Sequence, residues 1–334
     1  MIERDPDLCF DIFRKSFEKR QEAGARILQD YKIKKILNDF FNPDEYLFFC
    51  EDSDIFPVVV KKSTAYFFGG DLPFNEFNSL PDNKDLLNKS IDYLVNAGLD
   101  FRFTSIVCDQ YDNLRSDNAI YDVPYNQEWI VPGIGNFSID TFISNCKKKK
   151  RDKLKRASRL SENILVETVS PDVYFSQYHH KIYELYINSF SQRGLVNCWF
   201  DKKDLYDRVV KWSLDNYKTV NRIFKKDSEI LASYTLIFRD REIFLSFSNC
   251  YNFEIENLQL FIYMDILKTS SDVSCEKSFL SAGRGSFGYK RRMGFSPIPM
   301  YSLVNDPGWK KDYNSDISRE ETLSLYGRDF GCFI

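Results

Sequence analysis

The sequence predicts an α/β protein of the α+β kind, with mixed, mostly antiparallel sheets flanked by helices. Three observations carry this. Short runs rich in aromatic and β-branched residues, bounded by turn residues, recur along the chain. Helix-length apolar patterns are interleaved with those runs rather than segregated from them. The order hairpin strands, helix, strand, turn occurs once in each half, as an internal duplication would leave it. At 334 residues the chain suits one large domain or two of ordinary size.

The elements follow in order. Residues 7–40 read as helical, with Phe10, Ile12, Phe13 and Phe17 followed by Ile27, Leu28 and Ile36. "EYLFFCED", "PVVVKK" and "TAYFFGG" are strands, residues 82–97 a helix, and "FRFTSIVC" from Phe101 a further strand. "EWIVPGIGNFS" closes the first half, and its GxG, Gly133 and Gly135, reads as a turn because it lies in no phosphate-loop context. Ser138 is an N-cap with Asp140 in the first turn. The single long helix it opens carries Ile139, Phe142, Ile143, Cys146, Leu154 and Ala157 on one face. The domain boundary is placed along this helix, giving an N-terminal domain of residues 1–145 and a C-terminal, catalytic domain of 146–334. Beyond it, 163–169 is a strand, and 174–191 and 203–215 are helices. "VNRIFKKD", "ILASYTLIFRD" and "EIFLSFSNCY" form antiparallel strands turning at Asp227-Ser228 and Asp240-Arg241. A helix over 256–269 and the strand "EKSFLSAG" complete the pattern.

Composition excludes several function classes. The chain is 43% hydrophobic and 16% aromatic, ample for packed cores, so disorder is not expected. Net charge is −3, which announces no global nucleic-acid binding. Eight cysteines are scattered without a CxxC, and only His179 and His180 supply imidazole, so no metal site is expected. Scattered thiols read as a reducing compartment. The opening "MIERDPDLCF" has no apolar signal core, and no apolar run approaches a membrane span. The expectation is a cytoplasmic protein. His179 and His180 are adjacent on a helix, point about 100° apart and are read as structural. No GxSxG, HExxH or P-loop occurs.

Two stretches carry chemistry. "KKKKRDKLKRASR", Lys147 to Arg159, holds nine cations and one acid. Charge this dense self-repels unless a polyanion compensates it, so Lys149, Arg151, Lys155 and Arg156 are candidates for a phosphate-rich partner: a nucleotide, coenzyme A or tRNA. The alternative is a solvated outer face. "SAGRGSFGYKRRMGF", Ser281 to Phe295, concentrates four of the chain's 14 glycines. Gly283 and Gly285 permit a tight turn that brings Arg284 to a ligand at a strand end. Tyr289, Lys290, Arg291 and Arg292 follow on a short helical turn that Gly294 can end in the left-handed conformation.

With "GRGSFGYKRRMGFSPIP" and the basic helix in view, the chain resembles the Fem-type transferases and related FemABX-like acetyltransferases over roughly residues 40–304. The resemblance implies tandem GNAT-like domains. It implies transfer of an acyl or aminoacyl group from an activated donor to an amine-bearing acceptor. The donor is a co-substrate and no cofactor is held permanently: aminoacyl-tRNA, a carrier protein or acyl-CoA would serve. The aromatic-Lys pair Tyr289-Lys290 places Lys290 near the carbonyl under attack. Tyr186 to Gly194, with Arg193, and then Trp199-Phe200 look like the start of the family's second GNAT unit. "NCYNFEIENLQLFIYMDIL", with Tyr251, sits where the family has strand, loop and helix. One departure is plain. Ordinary GNAT enzymes hold a pyrophosphate on a glycine-rich loop, whereas residues 254–260, "EIENLQL", carry no glycine and two acids. That disfavours standard CoA binding and leaves a rival reading, a non-catalytic RNA- or nucleotide-binding protein on a degenerate transferase fold.

Overall fold

The computed structural model describes residues 1–21, 26–52, 54–70, 72, 75, 78, 80–107, 121–191, 201–246, 249–284, 290 and 292–305. The chain forms two compact units. Unit 1 comprises Met1–Glu128, Arg284–Gly288 and Ile298–Ile334; unit 2 comprises Trp129–Gly283 and Tyr289–Pro297.

Unit 1 begins with β1 (Ile2–Glu3), α1 (Pro6–Gln21) and α2 (Tyr31–Phe41). The meander β2 (Glu45–Glu51), β3 (Asp54–Lys61) and β4 (Thr64–Phe67) follows, then α3 (Lys84–Asn96) and β5 (Asp100–Val107). β1 pairs antiparallel with β2, β2 with β3 and β3 with β4. Lys62 and Ser63, both at positive φ, make the two-residue turn between β3 and β4. α3 is the crossover that lets β5 run parallel to β4. Leu47, Phe56, Val58 and Val60 bury against Leu87 and Ile91 of α3. Phe48, Ile55 and Val59, on the opposite face, bury against Cys9 and Phe13 of α1. A strand covered on both faces reads as a continuous apolar run, which is what "IFPVVV" is.

β6 (Tyr121–Val131) carries the chain into unit 2. There follow α4 (Ile139–Asn145), α5 (Lys148–Ser158), β7 (Leu165–Val169), α6 (Pro171–Val173), a π-turn over Tyr174–Tyr178, α7 (His179–Ser191) and α8 (Lys203–Asn216). The second meander is β8 (Lys218–Lys226), β9 (Glu229–Arg239) and β10 (Glu242–Leu245), with β11 (Cys250–Tyr251) also on β9. α9 (Leu258–Val273) leads to β12 (Phe279–Arg284), parallel to β10. β13 (Ser296–Val304) returns to unit 1, where it pairs antiparallel with β5.

The two units repeat one plan. In each, a first strand pairs with the second across intervening helices. A three-stranded antiparallel meander follows, then a helix, then a strand parallel to the meander's last. The α/β class with mixed sheets is therefore observed, built twice. Two details differ from the sequence reading. The helix opened at Ser138 is two helices, because Cys146 and Lys147 are extended (ψ 145 and 148). The stretch 174–191 is one helical run that begins in a π-turn. Ser138 caps α4 as expected, accepting from the Thr141 amide at 3.2 Å.

α9 is apolar on nearly every side: Leu258, Phe261, Ile262, Tyr263, Met264, Ile266 and Leu267 are all buried. Asp265 is a carboxylate set among them. Arg222 of β8 donates to both its oxygens at 2.8 and 3.0 Å, and the Tyr234 hydroxyl donates to it at 2.6 Å. Burial, then the adjacent Asp265 carboxylate, hold the Tyr234 phenol well above its usual pKa, so it stays a donor. His179 is buried between the rings of Phe175 and Tyr206, at 4.7 and 5.4 Å between centroids, with Nε2 2.8 Å from Asp207. His180 is exposed, 3.4 Å from Glu184. The pair is thus split between core and surface.

Both polar contacts can be tested by substitution. Asp265→Ala leaves Arg222 and Tyr234 facing an uncompensated hole in a partly buried network. It should cost about 2–3 kcal/mol in chemical denaturation; a loss below about 0.5 kcal/mol would mean the pair is surface decoration. His179 provides a pH test. Burial lowers its pKa from the ordinary 6.5, partly opposed by Asp207. The unfolded state therefore binds the proton more readily, and stability should fall as pH drops below about 6.5, by at most about 1.4 kcal/mol per unit. His179→Gln should flatten the profile between pH 5 and 6.5; an unchanged slope would assign it to other groups.

Candidate functional site

A pocket of about 610 Å³ opens in unit 2 where the first turn of α5 meets the start of α9. Lys147, Lys149, Lys150 and Lys153 line it from one side, and Arg292 and Met293 from the C-terminal turn. Tyr251, Phe253, Ile255, Glu256, Asn257, Gln259 and Leu260 complete it. Five cations thus face one carboxylate. The Tyr251 and Phe253 rings lie 4.3 Å apart between centroids and give the wall an aromatic plate. Lys150 sits over the Phe142 ring at 4.6 Å.

The local sequence explains why the pocket is electropositive. α5 begins at Lys148, after an N-cap residue, Lys147, that makes no side-chain cap, and it has no acid in its first turn. Its lysines therefore sit at the positive end of the helix, where acids are favoured and cations are not. α9 begins at Asn257, at φ 64, again without a side-chain cap or an acid in the first turn. Two uncapped helix N-termini and five side-chain cations therefore converge, an arrangement suited to an anion. Leu154 and Ala157 of α5 are buried in the core that α9 fills, which holds the two helix starts together.

This geometry revises one expectation. Residues 254–260 bring two acids, but only Glu256 lines the pocket, against five cations. Asn257 adopts the left-handed conformation, φ 64, which glycine takes most readily and asparagine tolerates. Around this loop the pocket lining therefore carries more positive than negative side chains.

Two glycines of the C-terminal motif, Gly283 and Gly294, take the left-handed backbone expected of them. Gly283 has φ 62 in β12, and Gly294 has φ 92 where the Lys290 turn ends. The amides of Met293 and Phe295 both bond the Lys290 carbonyl, at 3.0 and 3.1 Å. Lys290 itself is buried, and its ammonium donates to the Ala282 carbonyl at 2.8 Å. It thereby ties the turn to the end of β12. Arg284 is the last residue of β12. Tyr289, Gly285, Arg291, Arg193 and Trp199 lie outside the described residues.

Of the residues singled out on the basic helix, the pocket takes Lys149. Arg151 instead turns back to the Ser144 carbonyl at 3.4 Å, and Lys155 and Arg156 are exposed in the last turn, away from the lining. Tyr251 does line the pocket. Lys147, Lys150, Lys153, Phe253, Asn257 and Arg292 were not singled out. The signal for Lys150 and Lys153 was available: they lie four residues before Leu154 and Ala157, on the flank of the buried seam.

Among the described residues no cluster of three or more His, Cys, Asp or Glu could hold a metal ion. No described helix is long and apolar enough to cross a membrane. Burial pushes the Cys9 and Cys250 thiols up to about 12, which leaves them unsuited as nucleophiles.

No protein-family model and no curated protein sequence matches the chain. Solved structures do. L-PGS from Bacillus licheniformis shares 13% identity, with TM-score 0.58 over 97% of this chain and 98% of that one. The C-terminal DUF2156 domain of an Agrobacterium fabrum protein assigned as a lysylphosphatidylglycerol synthetase shares 11%, with TM-score 0.58 over 95% and 98%. FemX shares 10%, with TM-score 0.53 over 85% and 93%. At these identities the likeness concerns the fold, and the fold is tandem GNAT-like.

Proposed function

We propose that this protein transfers an acyl or aminoacyl group from a phosphate-bearing donor to an amine, and that unit 2 holds the donor. The observation that carries the reading is the pocket in which five cations and two uncapped helix starts meet beside an aromatic plate. A donor such as acyl-CoA or an aminoacyl-tRNA end offers phosphates to the cations and a base to Tyr251 and Phe253. One fold neighbour is by its name a lysylphosphatidylglycerol synthetase, which supports aminoacyl chemistry on this fold. The acceptor nitrogen attacks the donor carbonyl; the tetrahedral carbon then expels a thiol or a ribose hydroxyl. The proton lost by the amine ends on that leaving group. Lys290, with Tyr289 beside it in sequence, serves the carbonyl under attack from the strand end to which it is tied.

A second reading is favoured by one contact. The Lys290 ammonium already donates to Ala282, and a protein that only binds RNA or nucleotides would use it as such a tie.

The donor test is a titration of acetyl-CoA and, separately, of bulk aminoacyl-tRNA at several salt concentrations. Lys149→Gln with Lys153→Gln should weaken whichever binds and lower the log-log salt slope by roughly 0.7–0.9 for each phosphate no longer neutralised. Unchanged affinity and slope would reduce the lysines to a solvated face. Lys290→Met separates the two readings. Transfer per folded molecule should drop about 100–1,000-fold if Lys290 acts on the oxyanion. A decline that merely tracks a lowered melting temperature would make it structural.

A further inference from the structure

A second concavity in unit 2 has no part in that reading. It measures about 720 Å³, is formed by β7, the β8–β9 hairpin and the start of α7, and is lined by Leu165, Glu167, Gln177, Tyr178, Lys181, Lys225, Asp227, Ser228, Glu229 and Ile230. Three backbone irregularities meet there. The π-turn ends at Tyr178, the β8–β9 register shifts between Phe224 and Lys225, and Asp227 and Ser228 turn the hairpin at positive φ. π-turns and bulges spoil ideal ladders and re-aim side chains, and both concentrate at binding sites.

The polar groups here fall into two sets. Glu167, Tyr178 and Lys225 are committed to one another: Lys225 bonds the Glu167 carboxylate and, at 2.7 Å, the Tyr178 hydroxyl. Those bonds raise the Lys225 pKa and keep it charged, yet they use two of its three N–H donors. The remaining groups have no side-chain partner among the described residues: the Lys181 ammonium and Gln177 amide on the helix side, and the Asp227 and Glu229 carboxylates and Ser228 hydroxyl on the hairpin side. Leu165, an apolar side chain 60% exposed, and Ile230 supply an apolar surface between them.

We propose that this cleft binds a small zwitterion of the amino-acid type. Its carboxylate meets Lys181 and the third donor of Lys225. Its ammonium meets Asp227 and Glu229. An apolar side chain lies on Leu165 and Ile230. A simple anion would meet the two carboxylates and a simple cation the two lysines, so the lining favours a ligand that carries both charges at once.

The experiment is calorimetric titration of the whole chain with L-leucine, L-leucinamide, which lacks the carboxylate, and 4-methylpentanoate, which lacks the amine. Leucine should give saturable heat, and each truncated probe should bind at least about 10-fold more weakly. Lys181→Gln and Glu229→Gln are exposed changes outside the Lys225 network, so the fold is kept. Each should weaken leucine by a similar factor, while Lys149→Gln, in the other pocket, should leave it unchanged. No saturable heat with leucine would overturn the proposal. So would equal binding of leucinamide or 4-methylpentanoate, or leucine binding indifferent to both Lys181→Gln and Glu229→Gln.

Discussion

Unit 2 depends on one polar contact inside an apolar seam. A helix that is hydrophobic on nearly all sides, as α9 is, can pack on a sheet in more than one rotation, because apolar burial is non-directional. Asp265 removes that freedom. Its two oxygens take the fork of Arg222 and the hydroxyl of Tyr234, from neighbouring strands β8 and β9, and Arg222 reaches on to Thr168 of β7 at 2.7 Å. Three strands and one helix are thus registered by a single carboxylate. Such a contact need not add much net stability over a well-packed apolar replacement. Its effect is on which arrangement forms, and that arrangement sets where the N-terminus of α9 points.

The position of α9 then constrains α5. Leu154 and Ala157 must enter the core that α9 completes, while the lysine run before them must stay out of it. A single straight helix from Ser138 would have to satisfy both the apolar face of α4 and that of α5 at one rotation. The chain breaks instead at Cys146 and Lys147, so that Phe142 and Leu154 can each face inward. The break creates a helix start made of lysines, an electrostatically poor one. The unfavourable charge is the same feature that makes the pocket able to hold an anion, so the local conflict and the candidate function have one origin.

Much of this was legible in the residues. Asp227, Ser228 and Asp240 marked their hairpins because short polar side chains tolerate positive φ. Ser138 announced its cap, and Gly294 the left-handed end of the Lys290 turn. The break at Cys146-Lys147 was not legible. Neither residue is a helix breaker, and only the three-dimensional demand of two apolar faces enforces it. The π-turn before His179 was hidden for a related reason: one inserted residue shifts the apolar pattern too little to be seen in a short helix. The basic run stands out in the sequence by its charge density alone. Which of its lysines face the pocket depends on the helix restart, yet Lys150 and Lys153 could have been placed on the flank of the seam from their spacing to Leu154 and Ala157. Lys290 reads in the sequence as an open cation beside a cleft, and its burial against Ala282 comes from a strand end that the sequence could not orient.

The duplication offers an internal control on the choice of site. α3 and α9 occupy the same place in the two repeats, each between the meander and the strand parallel to its last member. Their N-termini are treated oppositely. α3 is closed: the Asn83 side chain accepts from the amides of Asp85 and Leu86 at 2.9 and 3.2 Å, and Asp85 adds a negative charge to the first turn. Two of its free N–H groups are satisfied and its dipole is compensated from within the protein. α9 has neither cap nor first-turn acid, and lysines from another helix crowd its start instead. A helix end left open in one repeat and sealed in the other is not a requirement of the fold, since the same fold is built both ways in one chain. The open end is a property of unit 2 alone among the described residues, and an anionic ligand is the partner whose charge would complete it.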